Sequence, residues 1–231
     1  MQPLSTPPSS GRSAVDEAVA TLRSRVLDGV LGPGARIVEE QAAAELGVSR
    51  HTLRAAMRQL VSDGLLRHEP HRGVHVPILT AEDITDVFRI RALLEHEAMR
   101  DVASRAYCPP DAVAALAALE SLGDDAGWHE VVEYDRAFHR ALIDAAGSVR
   151  ISRTYAATEA EIVFCLVQLR PHYDRPVEVA REHRELLEPV AAGDVRKAQR
   201  LLDVHLRDAE RNLLGSLPGV RAGSVSPDST T

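Results

Sequence analysis

The stretch Glu40-Gln41-Ala42-Ala43-Ala44-Glu45-Leu46-Gly47-Val48-Ser49-Arg50 leaves the chain few ways to fold. Consecutive alanines favour helix and carry no bulk, so a second helix can approach closely. Gly47 permits the positive φ that a tight interhelical turn needs. Ser49 is a good N-cap, so helix restarts at Arg50. Two helices, Glu39–Leu46 and Arg50–Ser62, joined by a tight turn are what this pattern specifies. Leu53, Met57, Leu60 and Val61 mark the inner side of the second helix.

The flanks complete a compact unit over residues 13–76. Ala14–Asp28 carries a helical stripe of Val15, Val19, Leu22, Val26 and Leu27, ended by Gly29 and Gly32-Pro33-Gly34. After Gly64, Leu65–His68 and Val74–Val76 flank His71-Arg72-Gly73 and read as a small hairpin with a tight tip. A linker at 77–80 leads to residues 81–217, where only helical patterns occur. Thr80 with Asp83 forms a capping-box-like start for a helix to about Ala106. Further helices are expected at Asp111–Leu122, Trp128–Ala146, Val149–Leu169, Pro176–Ala192 and Asp194–Leu214. The fold class is therefore mainly α: three helices and a β-hairpin forming a winged helix-turn-helix, then an antiparallel bundle of about six helices. The Pro/Ser-bearing residues 1–12 and the Gly/Ser/Pro/Thr-rich residues 218–231 are expected to be disordered tails.

Composition narrows the class of function. Aromatics are 3% of the 231 residues, so the core must be built from Leu, Val, Ile and Ala. No stretch approaches the roughly 18 apolar residues of a membrane span, and the N-terminus MQPLSTPPSSGR lacks the apolar run of a secretory signal. Cys108 and Cys165 have no metal-type spacing and are expected to be reduced thiols in a cytoplasmic protein. The net charge of −7 is uneven. Residues 1–79 hold nine Arg against eight Asp or Glu, a net of +1, so the remainder carries −8. A local basic patch on an acidic chain can still meet a phosphate backbone.

Arg50, Arg54 and Arg58 recur at four-residue spacing opposite the apolar side of their helix. Such a face can be ordinary solvated surface, or it can enter the major groove, where Arg pairs bidentately with guanine. The small-residue turn, the N-cap and the basic hairpin tip at Arg72-Gly73 favour the second reading. Residues 31–76 resemble the DNA-binding domain of the GntR regulators, through P-G-x-R, A-x-x-L-G-V-S-R, L-R-x-A-M-x-x-L, G-L-L and the R-G wing tip in that order. The resemblance implies DNA contacts at Arg50, His51, Thr52, Arg54, Arg72 and Gly73. His51-Thr52 stands where many members have Thr-Pro, and Ala55 where Glu is usual, so the operator sequence does not carry over.

A second constellation lies in the helical part. Asp135 and His139 are four residues apart and project from one helix face. His183 and His205 flank the turn at Gly193; at about 1.5 Å per residue they lie some 15 and 18 Å from it, nearly level on neighbouring helices. Three imidazoles and a carboxylate converging in a bundle would bind a divalent metal, zinc first, with nickel, cobalt or manganese as alternatives. Spacing alone leaves open that they are ordinary helix positions. The segments EYDRAFHRALIDAAG, REHRELLEPVAAGD and HLRDAE resemble the ligand pattern of the FCD domain, which marks the FadR branch of GntR regulators. That resemblance implies a metal at Asp135, His139, His183 and His205 beneath a pocket for a carboxylate effector. It also makes Arg91, in RIRALLE, a candidate pocket cation; the alternative is an exposed salt bridge to Glu95.

The expected function is a homodimeric transcription regulator that binds a palindromic double-stranded operator and answers to a small organic acid, acting as a repressor and having no membrane partner. A regulator that senses the metal itself is the alternative. A metallohydrolase is remote, because no further acid or base stands near the motif and Glu182 points about 100° away from His183.

Overall fold

A computed structural model describes residues 13–173 and 175–217; both expected terminal tails lie outside the described residues. The chain forms two compact units that divide between Ile78 and Leu79.

The first unit contains α1 (Ala14–Leu27), α2 (Glu39–Leu46), α3 (Arg50–Ser62), β1 (Arg67–Glu69) and β2 (Gly73–His75). Ser13 caps α1 reciprocally with Asp16, and the Ser49 side chain accepts from the Thr52 backbone N–H at the start of α3. Gly47 sits at φ 66°, the left-handed conformation that ends α2 within one residue. The two strands pair antiparallel, Arg67 opposite His75 and Glu69 opposite Gly73. Their pairing begins later in sequence than the apolar run suggests, because Leu65 and Leu66 are spent on the core. Val76 instead bonds to Ala35, while Arg36 bridges to His75. Leu22, Val26, Leu53, Ala56 and Leu60 fill the centre; Val61, expected inward, is only half-buried at the edge.

The second unit contains α4 (Ala81–Ser104), α5 (Pro110–Ser121), α6 (Trp128–Ala145), α7 (Val149–Leu169), a 3-10 turn (Arg170–His172), α8 (Pro176–Ala191) and α9 (Val195–Ser216). Thr80 and Asp83 form the reciprocal cap of α4. Pro110 opens α5 at its first turn, where a missing N–H costs nothing. Helix α4 packs against α6, α7, α8 and α9 and so forms the spine of the bundle. Its inner face is unusual: alongside Ile84, Phe88, Met99 and Val102 it buries Arg91 and Glu95. Charges at such depth need partners, and the partners come from α6 and α7.

Candidate metal centre, ligand pocket and nucleic-acid interface

On the first unit, α3 presents Arg50, His51 and Arg54 to solvent, with Arg58 one turn further. Thr52 is half-buried and turned to the cap, its hydroxyl 2.8 Å from that of Ser49. Arg72 is exposed in the turn between the strands, and Gly73 follows at φ 83°. A face of this kind can offer guanidinium donors to base edges and phosphates. It also carries acids that the arginine spacing does not reveal. Arg50 donates to Glu40 at 2.6 Å and Arg54 to Glu39 at 2.7 Å. Both carboxylates come from the first turn of α2, brought there by the tight turn at Gly47.

In the second unit His139, His183 and His205 converge, and Asp135 stands beside His183. Asp135 and His139 project from α6, His183 from α8 and His205 from α9. The imidazole centroids are 5.1, 5.3 and 5.2 Å apart for the 139–183, 139–205 and 183–205 pairs. One nitrogen from each ring lies within 4.8 Å of the others, as a shared ion would require. Asp135 Oδ1 is 3.1 Å from His183 Nε2, yet the two are not aligned as a hydrogen bond. Asp135 Oδ2 and His139 Nε2 are likewise buried without a partner. Buried polar atoms are rarely left unpaired, and these are nitrogen and oxygen donors suited to a divalent cation. The donor set therefore fits a metal ion.

A partner also stands behind each ring, although only that of His183 is a hydrogen bond. His183 Nδ1 donates to the Val179 carbonyl at 2.8 Å, which turns Nε2 to the Asp135 side. His139 Nδ1 lies 2.8 Å from Glu95 Oε2, and His205 Nδ1 3.4 Å from Glu182 Oε2. Outer partners of this kind fix the orientation of ligating imidazoles. Electrostatics follow from the same neighbours. Burial opposes charge on Asp135, but His183 and His139 overcome it and hold the carboxyl well below its usual range. Burial likewise opposes charge on His183, and Asp135 raises its pKa in spite of that. Burial lowers the pKa of His205, against the opposing pull of Glu182.

Arg91 is 1% exposed. The sequence left open a pocket cation or an exposed ion pair with Glu95. The ion pair forms, but it is buried rather than exposed: Arg91 Nε donates to Glu95 Oε1 at 2.8 Å. Only one edge of the guanidinium is used, and Nη2 is buried with no partner. Burial opposes charge on Glu95, yet Arg91 and then His139 hold its carboxyl well below the ordinary value. Tyr155 on α7 donates its hydroxyl to the same Oε1 at 3.2 Å. Arg91, Asp135 and His205 together line a small cavity whose water-accessible space is about 20 Å³, room for about one water.

Tyr155 and Tyr173 carried no signal in the sequence, and Glu95 and Glu182, though noted there, showed no link to His139 and His205. Glu182 does point away from His183; the same turn of the helix aims it at His205 on α9, and it also accepts from the Tyr173 hydroxyl at 3.0 Å. Such pairings depend on the register between helices, which spacing along one helix does not encode.

A winged helix-turn-helix joined to an all-helical domain is the build of a transcription regulator. Residues 14–76 match the bacterial regulatory proteins of the gntR family, and residues 86–208 match the FCD domain. The chain belongs to the GntR family of transcription regulators, in the group that carries an FCD domain. It is similar in structure to a GntR transcriptional regulator from Rhodococcus sp. RHA1, with a TM-score of 0.72, 30% identity, and coverage of 90% of this chain and 100% of that one. The HTH-type transcriptional regulator YdhC of Bacillus subtilis (strain 168) is 28% identical over 190 residues, 80% of this chain and 84% of its own. A protein of Paenarthrobacter nicotinovorans, named as a probable D-xylose utilization operon transcriptional repressor, is 28% identical over 183 residues, 78% of this chain and 80% of its own. These relatives are regulators and not enzymes, which removes the metallohydrolase reading. Among the described residues no helix is long and apolar enough to cross a membrane.

Proposed function

We propose that this regulator is a repressor that acts as a homodimer on a palindromic operator and is released by a small organic acid bound beside a divalent metal. Arg50, His51, Thr52 and Arg54 on α3 would meet the major groove, and Arg72 and Gly73 the adjoining backbone or minor groove. Asp135, His139, His183 and His205 would hold the metal, zinc first among the borderline ions that suit three imidazoles and a carboxylate. The metal would supply a Lewis-acidic seat for a carboxylate. Arg91 would face that carboxylate with its spare Nη2, while Glu95 and Glu182 keep the rings in place.

The observation that carries this reading is the conjunction of buried, unpartnered donor atoms on Asp135 and His139 with an unpartnered guanidinium edge on Arg91. A coupling of about 1–3 kcal/mol between effector and DNA would change operator affinity on the order of 5- to 150-fold. The repressor sense is supported by the name of the Paenarthrobacter nicotinovorans relative.

The test pairs metal analysis of gently purified wild type and Asp135→Ala/His183→Ala with binding of both to the DNA upstream of the gene. Stoichiometric metal in wild type and none in the variant is expected, with wild type selecting its own upstream region. Equal trace metal in both would remove the metal centre, and absence of selective DNA binding would remove the operator.

One observation favours a second reading, in which the metal is itself the signal: the cavity has space for about one water. A metal sensor changes operator affinity across a metal titration with no organic acid present. An acid-responsive regulator does not.

A further inference from the structure

This inference rests on the reading that the cavity beside the histidine centre receives an acid, and it concerns what kind of acid. We infer that the cavity selects a small monocarboxylate with an apolar body, branched aliphatic or cyclic, and rejects polyhydroxylated acids. Its walls away from the histidine centre are Trp128, Val131, Val132, Leu166, Leu169 and Val179. These side chains sit on α6, α7 and α8.

The few polar groups on those walls are already committed. The Trp128 indole N–H donates to the Leu166 carbonyl at 3.0 Å, so the indole turns only its apolar surface to a guest. The Tyr173 hydroxyl donates to Glu182 at 3.0 Å. Arg91 Nε is held by Glu95 at 2.8 Å. What remains for a ligand is the Arg91 Nη2 edge and the donor atoms of the histidine centre. Among donors, that suits one carboxylate; the Tyr173 oxygen and the second lone pair of the Leu166 carbonyl are the acceptors left on the walls. A hydroxyl further along the body would exchange water for Val or Leu. Each hydroxyl buried without a partner should weaken binding on the order of tenfold. An apolar body of the same size gains from each buried methylene instead. At about 20 Å³ the cavity holds about one water, so an acid of this size has to displace the Val and Leu walls of α6, α7 and α8 to enter, which sets an upper limit on the guest.

Trp128 is the single tryptophan of the chain and lines this cavity, so it reports occupancy directly. The experiment titrates the full-length, metal-loaded protein and follows Trp128 emission. The probes are isovalerate and cyclohexanecarboxylate, the polyhydroxy acids gluconate and tartrate, and the neutral isovaleramide. Saturable shifts with the two apolar acids are expected, with at least tenfold weaker binding of gluconate, tartrate and the amide. Arg91→Met/Glu95→Gln removes both charges together, so the fold is kept. It should lose the preference for isovalerate over isovaleramide. Val132→Thr, nearly isosteric, should narrow the gap between apolar and hydroxylated acids. Tighter binding of gluconate or tartrate than of the apolar acids would overturn this specificity and leave the organic-acid reading standing. No response to any acid, with metal bound, would remove the organic-acid reading and the specificity with it.

Discussion

Arg91 and Glu95 stand one turn apart on α4, their Nε and Oε1 atoms 2.8 Å apart, with both side chains almost fully buried. The pair is the hinge between the two chemistries of the domain. Glu95 gives one oxygen to Arg91 and Tyr155 and turns the other toward His139. A ligand drawing on Arg91 and a metal drawing on His139 therefore share a single carboxylate.

Removing one member of this pair should be costly. Arg91→Ala leaves a buried carboxylate with its main counter-charge gone, and a loss of about 3–5 kcal/mol is expected. Arg91→Met/Glu95→Gln removes both charges and should recover most of that loss. Urea unfolding followed by Trp128 emission checks it. If the single and double variants are equally destabilised, packing rather than charge pairing holds α4 in place.

The same pair sets an acid limit. The folded pKa of Glu95 lies below its unfolded value of 4.5, as that of Asp135 lies below 3.8. A depressed carboxyl stabilises the fold above the unfolded pKa, and that contribution is lost as pH falls toward the folded value. His183 has the opposite sign: raised above 6.5, it contributes below that pH and the contribution fades as pH rises. The metal-free bundle should therefore lose stability as pH falls below about 4.5, and Arg91→Met/Glu95→Gln should lose less over the same range. Thermal unfolding at stepped pH distinguishes the two profiles.

Metal removal provides a third test. Metal must displace the proton that Asp135 favours on His183, so binding should weaken as pH falls through the His183 titration. Stripping with a chelator at neutral pH should lower the unfolding temperature of the bundle. Free metal at 100 times its dissociation constant should restore about 2.7 kcal/mol. Glu182→Gln, which removes the carboxylate behind His205 and keeps an acceptor for the Tyr173 hydroxyl, should weaken metal binding by about 10- to 100-fold while keeping stoichiometry. An unchanged affinity would make Glu182 an ordinary surface acid.

What the sequence disclosed follows a pattern. Helix α3 runs from Arg50 to Ser62 as the Ser49 cap and the apolar spacing indicate, because these are local rules acting within one turn. The approach of His139, His183 and His205, with Asp135 beside His183, was also legible, since i,i+4 spacing and similar distances from Gly193 are arithmetic along helices. The supporting acids were not. Glu95 meets His139 across two helices, and Glu182 meets His205 across two more; each depends on how far one helix slides against another. The burial of Arg91 was hidden for the same reason, as its i+4 partner looks alike on an exposed helix and a buried one.

On the face proposed to meet DNA, Glu40 holds Arg50 and Glu39 holds Arg54. A carboxylate beside each arginine opposes indiscriminate phosphate binding while leaving the guanidinium aimed. Glu40→Gln should strengthen binding to random-sequence DNA, and its salt dependence should steepen by about one phosphate equivalent. Selectivity for the operator over random DNA should fall. Anisotropy titrations at several salt concentrations measure both, and an unchanged slope would show that Glu40 leaves the arginine free when DNA is present.

Gly47 offers the cleanest test of the turn on which the DNA-binding unit depends. It adopts φ 66°, and a Cβ built there would meet no atom within 4 Å. Gly47→Ala therefore carries backbone strain and no clash, a cost of about 1–2 kcal/mol. Gly47→Asn, whose side chain tolerates this conformation, should recover part of it. Trp128 lies in the helical unit, so its emission follows that unit alone, whereas circular dichroism follows both. The substitution should lower the transition seen by circular dichroism and leave the Trp128 transition in place. A Trp128 transition that moves with it would mean that the two units unfold as one, and that strain at the turn destabilises the sensing domain too.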